Sequence, residues 1–270
     1  MMQTHPLLPK LKQLRLGGMV YTLAQRSQEA IERSLPPVEF LALLVDDEIE
    51  RREQSKFARR IVEAGIDESK TIARFDFSAA PRVKRTLINE LSSCRFVEKG
   101  ENVLLVGPTG TGKSHLAQGL AYEAIKTGYR VLYRPLHHLI DKLYAARADG
   151  TFHKVYTNIL RVDVLILDDF GLVPLSSRGA QDLYEIIRDR YERKSIILTS
   201  NRAPEEWAEV FGNSLLASAA LDRLTHHSQF IEMKGESYRQ RQRRLVNGGS
   251  ITGEKEVRQH NTSEEKGGDM

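Results

Sequence analysis

Gly107-Pro108-Thr109-Gly110-Thr111-Gly112-Lys113-Ser114 is the stretch that decides the fold of this chain. It matches every fixed position of the phosphate-binding loop, also called the Walker A motif. The apolar run Asn102–Val106 before it predicts a buried strand, and residues 114–126 after it predict a helix. Because the motif requires strand, loop and helix in that order, the sequence predicts a nucleotide-binding site rather than a glycine-rich turn.

The residue types of this loop suit a polyphosphate. Gly107, Gly110 and Gly112 allow unusual backbone dihedrals and bring N–H groups against phosphate oxygens. Lys113 is expected to reach the β- and γ-phosphates, and the Ser114 hydroxyl is expected to bind Mg²⁺. We therefore assign residues 107–114 to ATP binding, with Lys113 also catalytic and Ser114 also a metal ligand.

A second motif follows at Val164-Leu165-Ile166-Leu167-Asp168-Asp169, an apolar strand that ends in two carboxylates. This is the pattern of the Walker B motif. Neighbouring side chains of a strand point in opposite directions, so the two acids can act differently. We assign Asp168 to Mg²⁺ and Asp169 to the attacking water. Without the glycine loop, a solvated strand end or a helix cap would be the simpler explanation.

A further apolar strand, residues 195–199, is followed by Ser200 and Asn201. In this position Asn201 can hydrogen-bond the γ-phosphate or the attacking water, as a sensor residue does. Asparagine at the end of a strand is also a common turn former, and this alternative stays open.

The pattern along the chain divides it into four parts, which differ in periodicity and composition. Helical periodicity without strands predicts an all-helical N-terminal domain, and alternating strands and helices predict a three-layer α/β domain with a mainly parallel sheet. A Gly-, Ser-, Glu- and Lys-rich tail predicts disorder. The predicted parts are the helical domain at residues 1–72, a linker at 73–82, the α/β domain at 83–246 and the tail at 247–270.

Composition narrows the class of protein further. No apolar run approaches the roughly 20 residues that span a bilayer, and residues 1–16 lack the pattern of a secretory signal, so we expect a cytoplasmic protein without a membrane partner. Cys94 is the single cysteine, which excludes an internal disulfide and predicts a structural thiol. The net charge of +4 favours an anionic partner only mildly.

Together with Leu221-Asp222-Arg223-Leu224 downstream, these motifs resemble those of the AAA+ ATPases in the helicase-loader and initiator branch, which includes DnaC and DnaA. Within this branch the chain is most similar to the IstB-like transposition helper ATPases of bacterial insertion sequences. The resemblance covers the helical start and the α/β part. Its most specific stretches include Leu167-Asp168-Asp169-Phe170-Gly171, and it continues to Gly235-Glu236-Ser237-Tyr238-Arg239.

The resemblance implies a P-loop NTPase of the AAA+ type that forms an ATP-dependent homo-oligomer on duplex DNA, hydrolyses ATP, and recruits or stimulates a separate transposase. Arg223 matches the arginine finger, which approaches the γ-phosphate bound by a neighbouring subunit. Arg239 matches a second sensor that binds nucleotide within its own subunit. Simpler explanations exist for both: Arg223 can pair with Asp222 or another acid, and Arg239 can be a solvated member of a basic run.

A basic stripe in the N-terminal domain is a candidate contact for DNA phosphates. Arg52, Lys56, Arg59 and Arg60 fall at helical spacings, with Arg51 close by. Acidic residues are interleaved with them, as on an ordinary salt-bridged surface helix. Because the family is understood to bind DNA without strong sequence preference, contacts to phosphates and a steep salt dependence are expected.

Two alternative functions remain open from the sequence. The first is a replicative helicase loader of the DnaC type, which shares the ATPase core. The second is an ATP-gated DNA-binding scaffold with negligible hydrolysis, which Asp169 favours because most AAA+ ATPases have the longer glutamate at this position. Since catalytic rate is sensitive to positioning at the ångström scale, slow or partner-stimulated turnover is expected.

Overall fold

The computed structural model describes residues 6–235, 237, 238 and 240, and the chain divides into two compact units between Glu63 and Ala64. This division comes earlier than the predicted domain end at residue 72. The helix that ends there stops before Gly65, whose φ of 74° suits a glycine after a helix C-terminus. The predicted tail, residues 247–270, lies outside the described residues.

The described part of the first unit is helical, as predicted, with α1 at Leu8–Gln13, α2 at Gly17–Glu32 and α3 at Pro37–Ala64. Arg26 joins α2 to α3 through two hydrogen bonds to the Asp47 carboxylate, of 2.9 and 2.7 Å. The Glu48 carboxylate accepts the Gly18 N–H at 2.6 Å. A Cβ on Gly18 would lie only 2.6 Å from the Cα of Glu48, so glycine allows the two helices to approach closely.

The second unit is an α/β domain on a five-stranded parallel sheet of order β2-β3-β4-β1-β5, which confirms the predicted fold class. The strands are β1 Asn102–Val106, β2 Val131–Pro135, β3 Val164–Phe170, β4 Ser195–Ser200 and β5 Ser228–Glu232. The helices are α4 Arg85–Ser92, α5 Arg95–Glu98, α6 Lys113–Thr127, α7 Leu136–Ala148, α8 Phe152–Arg161, α9 Ser177–Arg190, α10 Trp207–Phe211 and α11 Ser214–Thr225. Single 3-10 turns lie at Ile72–Arg74, Phe77–Ala79 and Pro204–Glu206.

Successive side chains of each strand point to opposite faces of the sheet, and helices pack on both faces, so the domain has three layers. Leu104 and Val106 of β1 belong to a buried cluster with side chains of α7 to α11. Val103 and Leu105, which are also buried, point to the opposite face. The helix α6 packs against β1, β2, β3 and β4. The sheet is therefore covered by helices on both faces, which explains why the three central strands β1, β3 and β4 are buried along nearly their whole length.

Residues of the predicted linker pack against the phosphate loop. Phe75 is buried, and its ring would lie 2.8 Å from a Cβ placed on Gly112. Just before it, the carbonyl of Thr71 is 2.9 Å from Nε2 of His115 on α6. This segment therefore forms one wall of the region around the loop.

Arg190 joins the amino-terminal ends of β3 and β4. Its side chain is buried, with 1% of the residue exposed, and donates hydrogen bonds of 2.8–3.2 Å to the carbonyls of Ile159, Val162, Asp163 and Ser195. Burial lowers the pKa of its guanidinium to about 10. These four carbonyl contacts hold the two strands in place from the edge opposite to their carboxyl ends.

Cys94 is buried, and removal from water raises the pKa of its thiol, which suits a structural residue. In the part of the chain that the structure describes, no helix has both the length and the apolar character to cross a membrane.

Candidate nucleotide site

The phosphate loop connects β1 to α6 and depends on glycine. Gly107, Gly110 and Gly112 have φ values of 154°, 86° and 95°. A Cβ on Gly107 would lie 2.0 Å from the carbonyl oxygen of Met233, so no larger residue fits there. Since α6 begins at Lys113, its N–H groups and the positive end of its dipole face the loop. The loop therefore has the geometry of an anion-binding site.

The ammonium group of Lys113 lies inside this loop. Its Nζ donates to the carbonyls of Gly107, at 2.7 Å, and Pro108, at 2.9 Å. With only 7% of the residue exposed, burial lowers the pKa of Lys113, and the carboxylates of Asp169 and Asp168 oppose this shift. A phosphate group in the loop would add the negative charge that a buried ammonium group needs.

Asp168 is buried, with 3% exposed, and three hydroxyl groups hold its carboxylate. Ser114 Oγ donates to Oδ1 at 2.9 Å, Thr199 donates to the same oxygen, and Tyr133 donates to Oδ2. Burial and the neighbouring carboxylate raise the pKa of Tyr133, so its hydroxyl stays protonated. Ser114 and Asp168 thus offer adjacent oxygen donors, the type of ligand that Mg²⁺ prefers.

The strand β3 bulges at the two aspartates. Its pairing with β4 skips one residue between Leu167 and Phe170, so Asp168 and Asp169 together oppose Thr199. Asp169 has a φ of 57°, and its N–H donates to Thr199 Oγ1 at 3.1 Å. Asp169 is exposed whereas Asp168 is buried. The two acids therefore differ in environment as the sequence predicts, but a bulge separates them rather than regular strand alternation.

Asn201 lies at the same edge of the sheet as the loop. Ser200 pairs with Val106, and its carbonyl accepts the Gly107 N–H at 3.0 Å, so Asn201 follows directly beside the phosphate loop. Its side chain is exposed. The structure thus brings together the loop, both aspartates and Asn201, while the sensor role of Asn201 stays a prediction.

Arg223 lies at the opposite edge of the sheet. The side-chain amide of Asn102, the first residue of β1, donates to the carbonyls of Arg223, at 3.4 Å, and Leu224, at 3.1 Å. The strand β1, which spans about 13 Å at the usual rise, separates this backbone from the phosphate loop. The Arg223 guanidinium donates to the Ala219 carbonyl at 2.6 Å. Arg223 is therefore remote from the loop of its own subunit.

The simpler explanation for Arg223 is that it pairs with an acid, and the part of the chain that the structure describes does not support it. No ion pair there joins it to Asp222 or to another acid. Its guanidinium instead lies 5.7 and 5.9 Å from the ring centroids of Tyr184 and Tyr191. These rings hold the arginine by cation–π contacts without neutralising its charge.

Arg239 lies outside the described residues. The residue before it, Tyr238, donates its backbone N–H to the Gly110 carbonyl at 3.0 Å. A Cβ on Gly110 would lie 2.9 Å from the Cβ of Ser237, so this segment contacts the phosphate loop closely. The assignment of Arg239 to nucleotide binding stays a prediction.

Sequence reasoning missed Thr199 and Tyr133 as residues of this site. Thr199 stands directly before Ser200 and Asn201, yet the sequence pattern assigns a role only to Asn201. Both missed residues lie near the carboxyl ends of strands, Thr199 in β4 and Tyr133 in β2. Because the carboxyl ends of parallel strands meet at one edge, a polar residue at such an end is a usable signal for membership of the site.

Comparison with known proteins identifies a family and individual relatives to which this chain is similar. The family described as IstB-like ATP binding protein matches residues 9–246. An insertion sequence IS21 putative ATP-binding protein of Pseudomonas aeruginosa is 38% identical over 240 residues, which are 89% of this chain and 91% of the relative. An insertion sequence IS5376 putative ATP-binding protein of Geobacillus stearothermophilus is 38% identical over 232 residues, covering 86% and 92% of the two chains.

Solved structures with a similar fold include those of DnaA and DnaI. AMPPCP-bound DnaA from Aquifex aeolicus has a TM-score of 0.55 and 23% identity, covering 72% of this chain and 58% of that one. DnaI has a TM-score of 0.52 and 23% identity, covering 61% and 90%. At these identities the likeness shows a shared fold.

We predict that Thr199→Val weakens ATP binding through the metal site. Valine keeps the shape of the side chain but removes both hydrogen bonds that hold Asp168 and the Asp169 N–H. Removal of such a supporting group should lower ATP affinity about tenfold when Mg²⁺ is present. Calorimetric titration with and without Mg²⁺ measures the effect, and Thr127→Val, which changes an exposed hydroxyl on α6, is the control. An equal loss without Mg²⁺ would contradict a role at the metal site.

Proposed function

The chain belongs to the IstB-like family of ATP-binding proteins, and we propose that it is the ATP-hydrolysing helper of an insertion-sequence transposase, which assembles as an oligomer on duplex DNA in the cytoplasm. The observation that carries this proposal is the separation of two catalytic elements within one subunit. The phosphate loop and both aspartates lie at one edge of the sheet, whereas Arg223 lies at the other. A subunit of this form needs a neighbour to complete its site.

The proposed hydrolysis uses the residues at the loop edge. The loop N–H groups and Lys113 bind the β- and γ-phosphates. Ser114 and Asp168 would hold Mg²⁺, which would supply positive charge to the phosphate oxygens. Exposed Asp169 orients a water molecule, whose oxygen forms a bond to the γ-phosphorus as the bond to the bridging oxygen breaks. Asn201 contacts the γ-phosphate or this water, and Arg239 binds nucleotide within the same subunit.

Arg223 completes the site of the adjacent subunit. Its charge is held over two tyrosine rings rather than paired with an acid, so it is available to stabilise negative charge on a transferring phosphoryl group. Since it is remote from its own phosphate loop, this action requires contact between subunits.

We predict that Arg223→Ala prevents ATP-dependent assembly on DNA. The native protein should form a large complex on duplex DNA with ATP but not with ADP, because the arginine senses the γ-phosphate across the interface. Sedimentation measures the size of the complex. Arg161→Ala, which changes an exposed arginine on α8, should assemble as the native chain does. A native protein that stays small with ATP, or an Arg223→Ala variant that assembles normally, would remove the arginine-finger assignment.

A second experiment separates hydrolysis from a pure scaffold function. Asp169 occupies the position of the water-orienting acid but has a shorter side chain than glutamate, which keeps the scaffold alternative open. We predict that Asp169→Asn lowers phosphate release in the presence of DNA about a hundredfold, since a positioned acid or base contributes on that order. ATP affinity should be nearly unchanged. Equal phosphate release by the native chain and the variant would support a scaffold with negligible hydrolysis.

A basic cleft in the first unit supports DNA as the partner. Its volume is about 440 Å³, and its lining residues include five cationic side chains and one carboxylate, that of Glu48. The cationic residues are Arg15, Arg51, Arg52, Lys56 and Arg59. The sequence-predicted stripe thus contributes to one surface, except that Arg60 is absent from the lining. The Glu48 carboxylate accepts hydrogen bonds from Arg52 Nε, at 2.6 Å, and from the Gly18 N–H, so the one carboxylate of the lining is already bound. Arg59 also pairs with exposed Glu63 outside the lining, at 3.7 Å.

We predict that Lys56→Ala and Arg59→Ala each weaken duplex DNA binding and reduce its salt dependence. Removing one cation that binds a phosphate should lower the slope of log K against log salt concentration by about one. Arg60→Ala, a change on the same helix outside the cleft lining, is the matched control. Fluorescence anisotropy at several salt concentrations measures both quantities. An affinity insensitive to salt, or an equal effect of Arg60→Ala, would contradict the assignment of this cleft.

The identity of the protein partner distinguishes a transposition helper from a helicase loader. Family membership favours a transposase, because relatives of high coverage are named for insertion sequences. A helicase loader of the DnaC type would instead capture a replicative helicase. Binding of the purified chain to a cognate insertion-sequence transposase, compared with binding to a replicative helicase, tests this choice.

A further inference from the structure

We propose that Glu192, His226 and His227 form a binding site for a divalent transition-metal ion of the Zn²⁺ class. One carboxylate oxygen and one ring nitrogen from each histidine lie within 4.8 Å of one another. Among residues 6–235, 237, 238 and 240, this is the one group of three or more His, Cys, Asp or Glu side chains arranged in this way. The site lies outside the candidate nucleotide site.

Two turns at the amino-terminal edge of the sheet bring these donors together. Glu192 lies between α9 and β4, while His226 and His227 lie between α11 and β5. Glu192 and His227 have φ values of 56° and 51°, in the left-handed region that residues other than glycine rarely adopt. Such backbone outliers are frequent at functional sites and justify a search for a ligand.

The unusual backbone places the two histidine rings side by side. In a regular strand, successive side chains point to opposite faces, but here the ring centroids are 3.8 Å apart. The His227 carbonyl accepts the Asn102 N–H at 3.3 Å, which fixes the turn to β1. His226 Nδ1 lies 2.7 Å from the Tyr191 hydroxyl and 3.8 Å from Glu192 Oε1. Both turns are thus held by contacts that do not involve an ion.

Two imidazoles and one carboxylate form a donor set typical of Zn²⁺ sites with a coordination position left for water. Ca²⁺ and Mg²⁺ prefer ligand sets made of oxygen, so this set favours transition metals. Donors bound about 2.1 Å from an ion lie no more than roughly 4.2 Å apart. All three side chains are exposed, so they can close the remaining distance by small rotations.

The chain contains an internal control for this site. His137 and His138 are also adjacent and exposed, with ring centroids 4.2 Å apart. No third His, Cys, Asp or Glu among the described residues completes a metal-binding group with them. The two histidine pairs therefore differ in the donor set rather than in composition or exposure. Cys94 is buried and does not compete for the ion from the surface.

The test is titration of the full chain with Zn²⁺ after treatment with a chelator and dialysis. Calorimetry should show one ion bound per chain, and Co²⁺ should produce visible absorption bands that Zn²⁺ abolishes. Zn²⁺ should also raise the thermal unfolding midpoint, because an ion that binds the folded state stabilises it. His226→Ala, His227→Ala and Glu192→Gln should each weaken Zn²⁺ binding by about tenfold or more.

The double variant His137→Ala/His138→Ala should bind Zn²⁺ as the native chain does. Unfolding midpoints measured without metal verify that each variant is folded, which is expected because the replaced side chains are exposed. The proposal is overturned if the native chain binds no Zn²⁺, if His226→Ala and His227→Ala bind it like the native chain, or if the control pair loses binding to the same extent.

Discussion

The candidate nucleotide site depends on the bulge in β3, and the hydroxyl group of Thr199 stabilises this bulge. It donates to the Asp168 carboxylate and accepts the N–H of Asp169, so it makes contact with both acids at once. In a regular strand the second acid would point into the opposite helix layer, where an unpaired charge is costly. The bulge instead keeps one carboxylate buried beside Ser114 and leaves the next exposed at the same edge of the sheet.

Strand order then determines which residues meet this bulge. Because β4 lies between β1 and β3, its end is adjacent both to the phosphate loop and to the two aspartates. Three consecutive polar residues at this strand end therefore contact different parts of the site. Thr199 binds the aspartates, the Ser200 carbonyl accepts the Gly107 N–H, and Asn201 follows beside the loop. A different strand order would have separated these groups.

Local patterns predicted the strands and the loop, since β1 and the helix α6 follow directly from the apolar run and the glycine motif. The role of Thr199 could not be predicted in this way, because it depends on the register between two strands distant in sequence. Arg190 is a similar case: its acceptors are backbone carbonyls from several segments, and in the sequence it resembles the exposed Arg188. Phe75 reads as part of a linker, but its packing against Gly112 is visible only in three dimensions.

With Arg223 in the proposed arginine-finger role, the positions of Gly107 and Arg223 at opposite ends of β1 would give the subunit a nucleotide-binding edge and an arginine-donating edge. Copies joined through two different edges associate head to tail, which produces either a closed ring or an open helix. In an open assembly of the proposed kind the two end subunits would be chemically unlike, because one would hold nucleotide without a neighbouring arginine and the other would present an arginine without a neighbouring nucleotide. Such a filament would have a direction, and the subunits at its two ends would differ in their capacity to hydrolyse ATP.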